Sequence, residues 1–333
     1  MRDIICIGAS AGGVEALQKV VAAFPANLAA SVFVVLHIPP FQQSRLAEIL
    51  NVAGPLPAAI AKDGERIVKG RIYVAPPDHH LLLERAKLTV IKGPKENRLR
   101  PAIDPLFRSA AQHHPKRAIG VVLSGMLDDG TAGLWALKRA GGTTVIQDLS
   151  DALFPDMPRN ASQQVEIDYT ATGAGMGSLL TKLAAAPTLK VKRQPQVVAL
   201  TRIENEYASL RDVPRAKLEA IGIPSSLICP GCNGPLWQLK DGPRRFRCHT
   251  GHSYSPSTLI EEHRELAEKT LGVLMTLFDD EVTLSRHILD TSKNPGQITQ
   301  MKRDLRESEE RAAALRRLLP GGYRQTSTAV SKN

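Results

Sequence analysis

Apolar runs alternate with stretches of helical period through the first half of the chain. Ile4-Ile-Cys-Ile7 is unbroken and aliphatic, the pattern of a strand buried on both faces. From Val14 onward, Leu17, Val20, Val21 and Phe24 fall at helical spacing. Ser31–Leu36 and residues 118–123 repeat the buried-strand pattern, and residues 131–140 again read as a helix. Aliphatic strands alternating with helices predict an α/β fold with a doubly wound, mostly parallel sheet. The pattern changes near residue 186. Residues 186–224 are basic and proline-bearing at first and predict a linker, with a short helix within 201–220. Residues 225–255 predict a small ribbon of short strands. Residues 256–322 carry two apolar stripes at helical spacing, broken at Asn294-Pro-Gly296. They predict an antiparallel helical hairpin, opened by Ser255 as N-cap and Pro256 at the first helical position. Residues 323–333 are polar and predict a disordered tail.

Composition adds bounds. The 333 residues suit two domains, and aromatics make up only 4%. The formal net charge of +10 suits an acidic partner or nucleic acid. The basic residues are dispersed rather than gathered with aromatics on one element, so solvated surface is the better account and nucleic acid is not the expected partner. A signal peptide and a long apolar segment are both missing from the pattern. The expectation is a cytoplasmic protein without membrane insertion.

Candidate chemistry sits at the strand ends. Ile7-Gly-Ala-Ser10-Ala-Gly-Gly13 is a small-residue turn between a strand and a helix N-terminus. Such a turn holds a pyrophosphate in dinucleotide folds, and it equally suits a serine nucleophile beside helix N–H groups. The second strand discriminates. It ends at His37, where a dinucleotide fold usually places an acidic residue for the ribose. A serine and a histidine at neighbouring strand ends fit acyl transfer. A carboxylate is then needed to orient the histidine. The strand at 118–123 runs into Ser124-Gly-Met-Leu-Asp128-Asp129-Gly130. Either aspartate could serve, the other capping the next helix.

These motifs, with Tyr73-Val-Ala-Pro-Pro-Asp78, Arg100-Pro-Ala-Ile-Asp-Pro-Leu-Phe-Arg108 and Met157-Pro-Arg159, resemble the CheB-type methylesterase domain in order and spacing over residues 1–185. Enzymes of that family remove methyl groups from the glutamates of bacterial chemoreceptors. The resemblance implies Ser10 as nucleophile, His37 as general base, Asp129 as orienting carboxylate and the Met126 N–H in the oxyanion hole. It implies a methylated chemoreceptor or related signalling protein as partner, and no cofactor for catalysis. Arg100, Arg108 and Arg159 could line the cleft or serve packing. Two departures stand out. Leu127 occupies a position where the family pattern carries glycine. The catalytic strand begins at residue 3, so the expectation is a chain without the receiver domain that usually precedes this one.

A second cluster lies in the ribbon. Cys229-Pro-Gly-Cys232 and Cys248-His249-Thr-Gly-His252 are separated by fifteen residues that read as a β-hairpin turning at Asp241-Gly242. That is the plan of a zinc ribbon. Cys229, Cys232, Cys248 and His252 supply four ligands to a structural Zn²⁺. His249 is the alternative fourth ligand, disfavoured because adjacent strand side chains point apart. The competing use of these cysteines is a redox pair, which a reducing compartment disfavours. The chain's remaining cysteine, Cys6, reads as core. The hairpin stripes need burial, either within the chain or in a homo-oligomer. Two functions therefore compete: a serine carboxyl-ester hydrolase acting on glutamate methyl esters, and a non-catalytic module that uses the ribbon and basic surface for binding.

Overall fold

The aliphatic runs form a seven-stranded sheet whose neighbours are all parallel. The computed structural model describes residues 1–187, 195–210 and 213–318. They fall into two compact units, Met1–Leu259 and the residues from Ile260 on. The first begins β1 (Ile4–Ala9), α1 (Gly13–Ala22), β2 (Ser31–Leu36), α2 (Leu46–Ala53), β3 (Ala58–Ile60) and β4 (Ile72–Val74). A small hairpin, β5 (His80–Leu83) and β6 (Leu88–Ile91), precedes α3 (Ile103–His113). Then come β7 (Ala118–Val122), α4 (Thr131–Arg139), β8 (Thr143–Gln147), α5 (Asp156–Gln164), β9 (Tyr169–Ala171) and α6 (Gly173–Ala185).

The strand order is β3-β4-β2-β1-β7-β8-β9. Side chains alternate across a strand, so each strand feeds two cores. Ile5, Ile7 and Ala9 pack with Leu17, Val20, Leu50 and Leu180 on one face. Ile4 and Cys6 pack with Leu106, Phe107, Leu134 and Met157 on the other. Cys6 is therefore core. The chain leaves β1 toward β2 on one side and returns to β7 on the other. That reversal opens a crevice at the carboxyl ends of β1, β2 and β7.

Residues 186–224 hold more structure than the expected linker with one short helix. Residues 188–194 lie outside the described part, but α7 (Pro195–Ala208) and α8 (Arg215–Ile221) follow. Leu200 and Tyr207 of α7 and Leu218 and Ile221 of α8 join Trp237 and Leu239 in a third core. The ribbon sheet also starts earlier than expected. Its antiparallel strands are β10 (Gly222–Ile228), β11 (Pro235–Leu239), β12 (Phe246–Cys248) and β13 (Ser253–Tyr254).

Charge locks this second layer to the first. Glu96, Arg108, Glu204, Arg245 and Arg247 are all almost wholly buried. Arg108 of α3 meets Glu96 at 2.7 Å. Arg247 of β12 reaches Glu96 at 3.2 Å and Glu204 of α7 at 3.1 Å. Arg245 pairs with Glu204 through two N–H donors, at 2.7 and 3.1 Å. Burial alone would raise the carboxyl of Glu204, but Arg245, Arg108 and Arg247 hold it far below the usual range.

From Ile260 on, the structure is a helical hairpin of α9 (Pro256–Thr291, whose first turn belongs to the first unit) and α10 (Pro295–Leu318). Arg316 pairs with Asp279, and Arg286, further along α9, pairs with Glu309, earlier on α10, at 2.7 Å, so the helices run antiparallel. Leu266, Val273, Leu277 and Leu284 remain exposed along α9. The predicted tail, 323–333, lies outside the described residues. Among the described residues no helix is long and apolar enough to cross a membrane.

The buried charges generate a stability prediction. Arg247→Met strips Glu96 and Glu204 of a shared partner and should cost about 3–5 kcal/mol in urea unfolding. A loss under about 1 kcal/mol would show that the network does not hold the layers together.

Candidate active site

Ser10 is the first residue beyond β1, and His37 the first beyond β2. Ala9 and Leu36 are register partners, so the two strand ends lie side by side. The His37 N–H donates to the Ala9 carbonyl at 3.1 Å, and the Ser10 N–H donates to Ser124 O at 2.9 Å. Ser124 ties the loops together: its Oγ donates to Ala11 O at 2.8 Å and accepts from Phe154 N at 2.9 Å. Gly12 turns the chain into α1 at φ 69°, where a Cβ would meet Ser124 Oγ at 2.8 Å. The β7–α4 loop crosses Ser10 at Gly125, where a Cβ would lie 2.8 Å from Ser10 Cβ and 2.1 Å from Met157 Sδ. Gly125 is held on both sides, its N–H on Phe154 O and its carbonyl on Met157 N.

Met126 follows, its side chain exposed. Leu127 then takes φ 63°, the left-handed conformation that glycine adopts freely and other residues adopt at a cost of roughly 1–2 kcal/mol. The leucine therefore keeps the loop shape that glycine would allow. Asn160 Nδ2 donates to the Leu127 carbonyl at 2.6 Å and helps to hold it.

This turn sends Asp128 and Asp129 in different directions. Asp128 accepts from Ser255 Oγ at 2.8 Å and Ser257 Oγ at 2.7 Å, and burial raises its pKa. Asp129 turns inward, 1% exposed, and its Oδ2 meets His37 Nε2 at 2.8 Å. The same oxygen accepts from Ile103 N at 2.6 Å, and Oδ1 accepts from Asn97 Nδ2 at 3.0 Å and Asp104 N at 3.4 Å. Two of these donors are the free N–H groups opening α3, where the helix dipole favours an anion. Burial would raise the pKa of Asp129, but the His37 bond and the Ile103 and Asn97 donors outweigh it and hold the carboxyl low. Asp104 lies beside it. Burial first, and then the charge of Asp129, push Asp104 up to about 8.

The arginines of the shared motifs are committed elsewhere. Arg100 holds Asp78 at 2.6 and 2.8 Å and the Gly93 carbonyl at 2.6 Å. Arg108 belongs to the buried network, and Arg159 pairs with Asp156 at 2.9 Å on the surface. Asn97 is the group that reading the sequence missed. The segment Glu96-Asn-Arg-Leu-Arg100 runs directly into the Arg-Pro motif, and a polar residue there was the available signal.

In the ribbon, the donor atoms of Cys229, Cys232, Cys248 and His252 all lie within 4.8 Å of one another. Cys232 and Cys248 sulfurs are 3.7 Å apart, and His252 Nδ1 is 3.6 Å from Cys248 and 3.7 Å from Cys229. A tetrahedral ion with Zn–S bonds of about 2.3 Å places its sulfurs roughly 3.8 Å apart, so this donor set fits such an ion. Both knuckles are closed by backbone bonds, Asn233 N to Cys229 O at 2.7 Å and Gly251 N to Cys248 O at 3.1 Å. His249 is exposed beside Gly234 and does not enter the group.

The fold and site thus place a serine, a histidine and a buried aspartate along the carboxyl edge of a parallel α/β sheet. The family model for CheB methylesterase matches residues 5–180, and the chain belongs to that family. It is 39% identical over 164 residues to the protein-glutamate methylesterase/protein-glutamine glutaminase 2 of Rhodospirillum rubrum, covering 48% of this chain and 45% of that one. A Salmonella typhimurium protein of the same description is 35% identical over 200 residues, covering 57% and 56%. The crystal structure of the Thermotoga maritima CheB methylesterase catalytic domain superposes with a TM-score of 0.53 at 32% identity, covering 55% of this chain and 99% of that domain. The chain spans about half the length of the curated relatives it matches.

The left-handed backbone at Leu127 carries a cost that glycine would not. Leu127→Gly relieves the backbone cost and should raise stability by about 0.5–1 kcal/mol after glycine's own entropic cost. A destabilised variant in chemical denaturation would show that the leucine side chain contributes more by packing than its backbone costs.

Proposed function

We propose that the protein hydrolyses side-chain acyl groups of protein glutamates, releasing methanol from the methyl ester, with Ser10 as nucleophile. The observation that carries the proposal is the 2.8 Å bond between His37 Nε2 and Asp129, one strand away from Ser10. Asp129 is the anion, so Nε2 carries the proton and Nδ1 is the nitrogen left to act as base. In the proposed reaction His37 takes the Ser10 proton as the hydroxyl attacks the ester carbonyl. Asp129 holds the tautomer and stabilises the imidazolium. The oxyanion develops under the β7–α4 loop, where the Met126 N–H is the proposed donor. Such a donor contributes on the order of 3 kcal/mol. His37 returns the proton to the leaving methoxide. Water then attacks the glutamyl–serine ester, with His37 again as base. The same attack on a glutamine side chain releases ammonia, and the relatives' descriptions include glutaminase. The proposed partner is a methylated chemoreceptor or a related cytoplasmic signalling protein.

The ribbon is proposed to hold one structural Zn²⁺ on Cys229, Cys232, Cys248 and His252. Four protein ligands leave no open position, so the ion would support folding rather than chemistry.

Methanol release from methylated receptor tests the first proposal. Ser10→Ala and His37→Ala should each lower the rate by at least about a thousandfold, and parental activity in Ser10→Ala would refute the nucleophile. Metal analysis tests the second. One zinc per chain is expected, and its removal by a chelator should lower Tm. A chain that purifies without metal and melts at an unchanged temperature would refute it.

A further inference from the structure

Among its contacts with the catalytic domain, the ribbon meets the segment Glu96-Asn97. Strand β13 runs beside it, with Ser253 N donating to Lys95 O at 3.3 Å and Asn97 N donating to Ser253 O at 2.7 Å. Glu96 turns its side chain to Arg247 of β12 and to Arg108 of α3. Asn97 is 5% exposed and held at φ 50°. Its amide is divided between two partners. Oδ1 faces the ribbon and the start of α9, accepting from Ser255 N at 3.0 Å and Thr258 Oγ1 at 3.3 Å. Nδ2 faces the catalytic domain, donating to Asp129 Oδ1 at 3.0 Å and Asp104 Oδ2 at 3.1 Å. The acceptors and donors on the two sides fix which way the amide points. On the metal side the connection is equally short. Ser253 directly follows His252, and the His252 carbonyl accepts from Cys248 N at 3.0 Å.

We infer that Asn97 is a positioning residue for Asp129 and that the metal-bearing ribbon controls it. The route is continuous: Cys248 and His252 fix β13, β13 fixes Asn97, and Asn97 fixes one oxygen of the carboxylate that orients His37. Asp128 adds a second tie, because Ser255 and Ser257 hold the residue next to Asp129. A ribbon that loses its metal loses the registration of β13. Asn97 then loses partners at both its backbone and its side-chain oxygen. An amide whose acceptor side is unpaired no longer has a reason to present its donor side to Asp129. The ribbon would thus act as a regulatory element in contact with the back of the triad. It would report metal availability, or a partner's pull on the ribbon, without touching substrate. This inference rests on the esterase reading of Ser10, His37 and Asp129.

The test uses the full chain and a phosphonate that labels activated serines, separating the number of competent sites from their reactivity. Asn97→Ala should keep close to one label per folded chain while the labelling rate and kcat fall, on the order of tenfold or more, with KM little changed. A purely structural role would lower the stoichiometry and leave the rate per competent site unchanged, which would overturn the inference. Stripping the metal with a chelator, or Cys232→Ser, should slow labelling as Asn97→Ala does. Stripping the Asn97→Ala protein should slow it no further. Independent, multiplying effects would overturn the route through Asn97, as would a stripped protein that labels at the parental rate. Should the stripped chain unfold, Thr258→Val still removes a hydroxyl from Asn97 without touching a metal ligand. It should slow labelling at unchanged stoichiometry, and a parental rate would count against the inference. If Ser10→Ala labels like the parent, the esterase reading itself has failed. If only the Asn97 arm is silent, that reading stands and this one falls.

Discussion

A carboxylate removed from water survives only where donors replace the water it has lost. Asp129 has four: His37 Nε2, the Ile103 and Asp104 N–H groups, and Asn97 Nδ2. They come from three separate parts of the chain. His37 requires β2 to end beside β1. The backbone donors require α3 to begin under the loop after β7. Asn97 requires the segment before α3 to be pinned from outside the sheet. The loop that carries Asp129 must also turn through the left-handed Leu127. Satisfying one buried charge thus constrains three strand ends, a helix start and the ribbon.

The ribbon is attached by charge rather than by a broad apolar face. Two buried glutamates and three buried arginines join β12, α7, α3 and the Glu96 segment. Such a network is costly to desolvate and costly to break, and it tolerates few alternative geometries. That property suits a contact whose strand β13 and following residue Ser255 hydrogen-bond to Asn97. The small apolar core around Trp237, Leu218 and Tyr207 closes the layer beside it.

Local patterns made the sheet readable from sequence. Unbroken aliphatic runs followed by helical periods leave few alternatives to a parallel α/β sheet, and parallel neighbours bring Ser10 and His37 to one edge. The cysteine and histidine spacing is equally local, since each knuckle is a single turn. The residues alone leave Asp128 and Asp129 open, because the choice depends on a positive φ at Leu127; the family resemblance supplies Asp129. Two features escaped. The segment of α7 and α8 reads as a linker with one short helix because its apolar residues are satisfied by Trp237 and Leu239, far along the chain. Asn97 was missed because its partners at Asp129 and Ser255 are 32 and 158 positions away, and only the assembled unit brings them together.

The central claim is that Ser10 becomes covalently acylated. Mixing the protein with methylated receptor, quenching in acid within the first turnovers and mapping the peptides by mass spectrometry tests this directly. The account predicts a glutamyl ester on the peptide containing Ser10, formed with methanol and lost as turnover proceeds. Methanol released at the parental rate by Ser10→Ala, with no adduct on that peptide in the parent, would contradict it.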